Sequence, residues 1–202
     1  MSITKSIHLL YIALLLFPAL LVAGVQTGEQ APDFDLIDVK GETHSLSQYD
    51  GKLVVLEWFN YGCPFVQKHY KSDNMQNLQE KYTEKGVVWL TVTSSAPGKP
   101  GFLTAEKAQE LEILDNADPT AILLDHDGSV GNQYGAKTTP HMFIINKEGK
   151  VVYNGAIDSI RSTDPADVSK AKNYASQALD ELLSGKDVSV NSTKPYGCSV
   201  KY

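Results

Sequence analysis

The sequence predicts an α/β fold in which a central mixed β-sheet is flanked by helices and preceded by an N-terminal β-hairpin. Two observations indicate this class. Apolar runs of strand length at residues 53–59, 86–94 and 121–125 alternate with segments of helical periodicity, which is the order of a parallel sheet with crossover helices. Two further runs, residues 141–146 and 151–157, are separated by the turn KEGK and add an antiparallel hairpin, which makes the sheet mixed.

The composition fits one folded domain. The chain has 202 residues, of which 42% are hydrophobic and 21% charged, values that are ordinary for a globular protein with a single core. Its net charge is −6, and Arg161 is the single arginine. Nucleic-acid binding is therefore excluded, because phosphate recognition needs clustered cationic side chains.

The first 24 residues have the pattern of an export signal. Lys5 precedes a charge-free stretch whose apolar centre spans residues 9–25, with the small residues Ala23 and Gly24 near its end. Cleavage after either small residue would remove a signal peptide, whereas retention would leave a membrane anchor interrupted by Pro18. Both interpretations place the body of the protein outside the cytoplasm, in the periplasm or the extracellular space. Contact with a membrane is expected only if the segment is retained.

The first half of the body begins with extended segments. Residues 31–52 predict two extended pieces around a turn at Lys40 and Gly41. The run LVVLEWF follows and predicts a central strand, because a near-continuous apolar run suits a strand covered on both faces. A helix is predicted to begin at Pro64, where a missing N–H is tolerated. Further on, a helical apolar face ends at Gly86 and consists of Met75, Leu78 and Tyr82.

The second half contains more helices and an irregular tail. Thr104 is expected to cap a helix over residues 105–116, and a turn with a short helix at 126–135 leads to the second hairpin. The last long helix is predicted for residues 171–184, which carry apolar side chains at helical spacing. The tail at residues 186–202 has no helical period and is expected to be an extended arm that packs back on the body.

Cys63 is the candidate reactive group, because it lies between a buried strand and the start of a helix. A thiol reacts as its thiolate, and the free N–H groups and dipole of a helix N-terminus favour negative charge. The turn residues 60–62 are expected to leave the sulfur at the protein surface. The alternative is a small buried hydrophobic residue, the usual role of a free cysteine. His69, six residues further on, is too far along the helix to act as its base and is expected to pack or to lie at the surface.

Cys198 in the tail is the second of two cysteines. In an exported protein disulfides persist, so the two thiols raise the question of pairing. One interpretation is a structural disulfide that ties the tail to the body, and another is a reactive thiol with a partner that resolves it. A third is a copper site formed by both cysteines and His141, since thiolate and imidazole are suitable copper ligands.

Two long segments together resemble the thioredoxin fold, in the redoxin branch that includes the alkyl hydroperoxide reductase and thiol-specific antioxidant (peroxiredoxin-like) proteins. They are APDFDLIDVKGETHSLSQYDGKLVVLEWF and DHDGSVGNQYGAKTTPHMFIINKEGKVVYNGAID. The resemblance covers residues 28–185, between the leader at 1–24 and the tail at 186–202. It implies a thioredoxin-like fold in which Pro140 is a cis-proline facing the active cysteine. The Thr139 backbone would then lie beside the sulfur, where a substrate chain can pair with it.

Departures from the family patterns narrow the expected chemistry. Val66 stands where a dithiol oxidoreductase has its second cysteine, so dithiol exchange within this loop is excluded. Asn60 and Leu56 occupy the positions at which a peroxiredoxin has a threonine and a proline. Asn60 can still donate one hydrogen bond to a peroxide oxygen. Arg161 is the only guanidinium that could stabilise the thiolate, although no motif places it nearby.

The segment NYGCPFVQKHY around Cys63, with GCSVKY at the C-terminus, is similar to a peroxiredoxin-like subgroup. The resemblance implies that Cys63 attacks an oxidant, becomes a sulfenic acid and condenses with Cys198 to a disulfide. The expected protein is an exported thiol-dependent oxidoreductase that acts on a small oxidant (a peroxide) or a protein disulfide and is recycled by a thiol reductant. No cofactor and no metal are expected. The expected site residues are Cys63, Cys198, Asn60, Thr139 and Pro140.

A second class of function stays open. In it, the chain is a non-catalytic thioredoxin-fold module that binds a partner protein or a metal, and a disulfide between Cys63 and Cys198 is structural.

Overall fold

The computed structural model describes residues 24–111, 114 and 116–202. The predicted export segment lies, apart from Gly24, outside them. The strands are β1 (Asp35–Asp38), β2 (Thr43–Ser45), β3 (Val54–Trp58), β4 (Val88–Thr93), β5 (Ala121–Leu124), β6 (Thr138–Thr139), β7 (His141–Ile145), β8 (Val151–Gly155) and β9 (Cys198–Ser199). The helices are α1 (Pro64–Lys71), α2 (Asn74–Thr83), α3 (Ala105–Gln109), α4 (Ser129–Tyr134) and α5 (Tyr174–Leu183). The structure also has 3-10 segments at Leu46–Tyr49 and Pro165–Lys170.

Seven strands form one mixed sheet in the order β2-β1-β5-β4-β3-β7-β8. Strands β3, β4 and β5 are parallel, while β7 runs antiparallel to β3 and β8 to β7. The N-terminal hairpin β1–β2 joins the other edge, where β1 runs antiparallel to β5. The predicted mixed sheet with flanking helices is therefore confirmed. Strands β6 and β9 form a separate antiparallel pair.

The central strands form where the apolar runs predict them. Every residue of β3 and of β4 is buried, as expected for strands covered on both faces. One face of the sheet packs against a cluster that includes Leu56 and Trp58. The other face packs against α1, α2 and α5 through a cluster that includes Val55 and Trp89. Cys63 belongs to this second cluster, so the candidate thiol lies on the same side of the sheet as these three helices.

Two helices, α3 and α5, differ from their predicted bounds, and the helical region that begins at Pro64 is divided into α1 and α2. The helix that begins at Pro64 stops at Lys71, because Asp73 adopts a left-handed conformation with φ of 56° before α2 begins. Thr104 caps α3 as predicted, but α3 ends at Gln109 rather than at residue 116. Beyond α3 the chain turns through hydrogen bonds between residues three positions apart, such as that from the Leu114 N–H to the Leu111 carbonyl. Both leucines pack against the core.

The last helix, α5, begins at Tyr174 instead of residue 171. Ala171 has an extended backbone, and the Asn173 side chain caps the helix by accepting a hydrogen bond from the Ser176 N–H. The helix α5 therefore begins directly after Asn173, because this residue supplies the capping side chain. No helix in the part of the chain that the structure describes is long and apolar enough to cross a membrane.

The tail is extended and packs against the body, as predicted. In the β6–β9 pair, Thr138 lies opposite Ser199 and Thr139 opposite Cys198. Beyond this pair the Ala96 N–H donates to the Lys201 carbonyl at 2.8 Å. Backbone hydrogen bonds thus hold the end of the chain over the loops that follow the central strands.

Candidate active site

The loop between β3 and α1 fixes the position of Cys63. The Cys63 N–H donates to the Asn60 carbonyl at 3.0 Å, and the Asn60 Oδ1 accepts a hydrogen bond from the Gly62 N–H at 2.9 Å. Cys63 is the N-cap of α1, and Pro64 is its first residue. The helix start predicted at this point is confirmed, and the Val66 N–H of the first turn contacts the sulfur.

The sulfur of Cys63 is not at the surface. Cys63 is only 2% exposed, and its thiol donates a hydrogen bond to the Thr139 carbonyl at 3.0 Å. The prediction of a surface thiol was wrong, because the turn that carries Cys63 is covered by the tail. Gly197 lies directly against the Thr139 backbone, and this contact brings β9 over the site.

Thr139 lies against both cysteines. Its carbonyl accepts a hydrogen bond from the Cys63 thiol, and its backbone lies opposite Cys198 in the β6–β9 pair. The peptide bond between Thr139 and Pro140 is cis, as the resemblance implies. Cys63 is buried, Cys198 is half-buried, and both thiols are free. The fold therefore brings four of the five expected site residues together around one short strand, and Asn60 adjoins them through its carbonyl, which accepts a hydrogen bond from the Cys63 N–H.

The environment of Cys63 favours its thiolate. Burial by itself raises the pKa of this thiol, but contacts with the Cys198 thiol, the Thr139 side chain and the Cys198 and Val66 backbone N–H groups lower it by more. The resulting pKa of Cys63 is below its usual value. The Thr139 hydroxyl is buried and has no hydrogen-bond partner among the described residues, so it is available as a donor beside the sulfur.

Cys198 behaves in the opposite way. Burial, and then hydrogen bonding and like-charge repulsion from Cys63, raise the pKa of Cys198 to about 11, while Lys201 lowers it slightly. When the pair carries one proton, the negative charge therefore resides on Cys63 and the proton on Cys198. In that state the Cys63 thiolate, the nucleophile, lies beside the protonated Cys198 thiol.

The pH dependence of alkylation should report this asymmetry. Because a lowered pKa populates the thiolate at lower pH, iodoacetamide should modify Cys63 with a midpoint below that of an ordinary exposed cysteine. Cys198→Ala removes the contact that lowers the pKa most, so its Cys63 midpoint should lie higher. Peptide mass spectrometry across the pH range measures both midpoints, and equal midpoints in the two proteins would contradict the assignment.

Asn60 anchors a loop. Its Nδ2 donates to the Ser95 Oγ at 3.3 Å and to the Pro100 carbonyl at 3.0 Å. The loop is so close that a Cβ on Gly101 would lie 2.0 Å from this nitrogen. Asn60 thus holds the loop of residues 96–102 beside the site. A hydrogen bond from Asn60 to a peroxide oxygen would require one of these two contacts to break.

Two other residues considered in the sequence do not join the site. Arg161 is exposed and is not among the groups that shift the pKa of Cys63. Both ring nitrogens of His141 are engaged, with the Asn154 side chain at 2.8 Å and with the Lys137 N–H at 3.3 Å. The imidazole is therefore not free to ligate copper together with the cysteines.

A buried polar cluster lies behind the tail and was not found from the sequence. The Lys68 Nζ is 2.9 Å from the Asp158 Oδ2, and the Tyr196 hydroxyl donates to the Asp158 Oδ1. His69, which packs in the interior, is 3.8 Å from the same carboxylate. Burial lowers the pKa of His69 to about 4, with Asp158 opposing this shift and Lys68 adding to it. The sequence feature that could have indicated this cluster is Tyr196, an aromatic residue two positions before Cys198.

A second buried group connects α1 to the sheet. Glu57 in β3 is fully buried, and burial raises its pKa. Its carboxyl group accepts hydrogen bonds from Tyr70 of α1 and from Trp89 of β4, both at 2.9 Å. The lone acidic residue in the run LVVLEWF was the signal for this network, which fixes the helix that carries Cys63.

Comparison with known proteins agrees with this geometry. A family model described as Redoxin matches residues 26–193. The chain belongs to the Redoxin family. Among similar proteins, the thiol-disulfide oxidoreductase ResA of Geobacillus thermodenitrificans is 34% identical over 127 residues, which cover 63% of this chain and 67% of ResA.

Solved structures confirm the thioredoxin-like fold of this Redoxin chain. An uncharacterized conserved protein from Geobacillus kaustophilus is similar with a TM-score of 0.77 and 27% identity, covering 88% of this chain and 92% of its own. A putative thiol:disulfide interchange protein DsbE from Chlorobium tepidum is similar with a TM-score of 0.50 and 25% identity, covering 65% of this chain and 85% of its own.

Proposed function

We propose that this Redoxin-family chain is an exported thiol-dependent oxidoreductase in which Cys63 is the nucleophile and Cys198 is the resolving cysteine. The observation that carries the proposal is the β6–β9 pair, in which one residue, Thr139, contacts both cysteines. Relatives named thiol-disulfide oxidoreductases support the same class of chemistry. Because Val66 occupies the position of a local second thiol, Cys198 supplies it from the tail.

The proposed oxidant is a small peroxide, as in peroxiredoxin-like proteins. Cys63 is 2% exposed beneath the tail, so a small molecule can reach its sulfur more readily than a folded partner can. The Cys63 thiolate attacks one peroxide oxygen and the O–O bond breaks. The other oxygen takes a proton and leaves as water or an alcohol, while Cys63 becomes a sulfenic acid.

Cys198 then attacks the sulfenic sulfur. A disulfide forms, and the sulfenic hydroxyl leaves as water with the proton of the Cys198 thiol. Repulsion from the Cys63 thiolate is one of the causes that raise the pKa of Cys198. Because a sulfenic acid is neutral, this cause disappears once Cys63 is oxidised, and Cys198 loses its proton more readily at the step that needs its thiolate.

A dithiol partner completes the cycle. Cys198 is the more accessible of the two sulfurs, and Cys63 has the lower pKa and is the better leaving group. The partner thiolate therefore attacks Cys198, and Cys63 departs as the thiolate. A second partner thiol resolves the mixed disulfide, which leaves the partner oxidised and both cysteines reduced.

The place of this reaction is proposed from the leader. An apolar N-terminal segment with small residues at its end supports export to the periplasm or the extracellular space. Attachment to a membrane follows only if the segment is retained.

Mass spectrometry of the full chain tests the proposal. One equivalent of hydrogen peroxide should convert the reduced protein to a form with a Cys63–Cys198 disulfide that dithiothreitol reverses, and repeated cycles should consume peroxide. Unlinked cysteines, no dimedone-trapped sulfenic acid and no peroxide consumption would contradict it. A disulfide that resists dithiothreitol in the folded protein would instead support the binding module with a structural bond.

A further inference from the structure

We infer that Tyr196 is a positioning residue that holds Cys198 opposite Cys63 through its contact with the buried Asp158 and Lys68 pair. The inference rests on the proposed pairing of the two cysteines and adds the group that sets its geometry.

Tyr196 connects the tail to the helix that carries Cys63. Its side chain is buried, and its hydroxyl donates to the Asp158 Oδ1. Its ring packs edge-to-face against Phe65 of α1, with ring centroids 5.8 Å apart. Phe65 is two residues after Cys63, and Tyr196 is two residues before Cys198. This one contact therefore joins the two chain segments next to the two sulfurs.

The acceptor of the Tyr196 hydroxyl is itself held in place. The Asp158 Oδ1 also accepts a hydrogen bond from the Ile160 N–H at 3.0 Å. The Lys68 Nζ contacts the Asp158 Oδ2 and donates to the Ile160 carbonyl at 2.8 Å. Lys68 and Asp158 are at most 3% exposed. Because a buried ion pair adds little net stability, this one is better explained by the fixed acceptor that it gives to Tyr196.

The chain needs such an anchor at this point. Gly197, between Tyr196 and Cys198, has a φ of 145° and no side chain to restrict its backbone. Rotation at this glycine would swing the Cys198 thiol away from Cys63. The Tyr196 hydrogen bond and ring contact remove that freedom on the N-terminal side of Cys198.

The test is Tyr196→Phe, which removes the hydroxyl and keeps the ring on Phe65. After peroxide treatment, the variant should form the Cys63 sulfenic acid as fast as the wild type, while closure of the disulfide should slow by about tenfold or more, the effect of losing a hydrogen bond to a charged acceptor. Rapid quenching with dimedone and peptide mass spectrometry separates the two rates. A role in overall stability alone would not produce this split between oxidation and closure.

The matched control is Tyr174→Phe, since within the described ranges of the chain the Asp158 carboxylate accepts from Tyr196, Lys68 and Ile160 and not from Tyr174. Equal closure rates in Tyr196→Phe and the wild type would overturn the inference, as would equal slowing in the control.

A second readout separates this inference from the proposed function. In the reduced protein, iodoacetamide should modify Cys198 about tenfold faster in Tyr196→Phe than in the wild type, because the tail opens more often. If the wild type forms no disulfide but this acceleration is seen, the positioning role stands and the redox pairing fails. If the wild type forms the disulfide and the variant changes neither closure nor alkylation, the positioning role fails alone.

Discussion

Cys63→Ser should abolish peroxide consumption and disulfide formation, lowering turnover by at least about a thousandfold. Serine keeps the position and most of the volume of the side chain but has no thiolate at accessible pH. The contacts with the tail and Thr139 that lower the pKa of Cys63 then have no thiol to ionise. A thiol-recycled assay of peroxide consumption measures the loss.

Cys198→Ser is the matched variant, and it should behave differently. Cys63 can still be oxidised once, so the first exposure to peroxide should consume about one equivalent per chain. The sulfenic acid then has no resolving thiol, and it should accumulate as a dimedone adduct while recycling by a dithiol partner stops. Equal activity in the two variants would refute the roles assigned to the two cysteines.

Gly197→Ala should separate the tail from the site. A Cβ on Gly197 would lie 2.0 Å from the Thr139 carbonyl oxygen, which belongs to backbone, and its φ of 145° is strained for alanine. Strain of about 3 kcal/mol corresponds to about a 100-fold loss of the docked tail. Disulfide closure should therefore slow by about that factor, while oxidation of Cys63 is retained, as rapid-quench mass spectrometry can measure.

Gly185→Ala is the control for this substitution. Gly185 also has a positive φ, of 72°, but its added Cβ would meet no atom within 4 Å. It shares the cost of the left-handed backbone without the clash at Thr139. Closure in Gly185→Ala should remain near the wild-type rate, and an equal slowing of both variants would show that the close approach at Thr139 is not what positions Cys198.

The sequence predicts the parts of this protein that depend on local patterns. The buried strands β3, β4 and β7 follow from continuous apolar runs, since a strand covered on both faces leaves that pattern. The start of α1 at Cys63 follows from Pro64, whose fixed φ suits a first turn. The end of α3 at Gln109 was missed, because no residue there interrupts the helical pattern.

The contacts around Cys63 could not be read in the same way. The Cys63 thiol meets the carbonyl of a residue 76 positions away, and Lys68 meets Asp158 90 positions away. Periodicity describes which face of an element is apolar, but it does not say which distant segment covers that face. The burial of Cys63 and the role of Tyr196 therefore depend on the path of the tail, which has no periodic pattern.

The pairing of β9 with β6 has a consequence for any protein that docks at this edge. The edge of β6 that pairs with the tail cannot pair with a second strand at the same time. A partner that binds as an added strand must therefore compete with a tethered segment, whose effective concentration is on the order of millimolar. A partner that reaches Cys63 by strand addition must therefore displace the docked tail, whereas a thiol that attacks Cys198 need not.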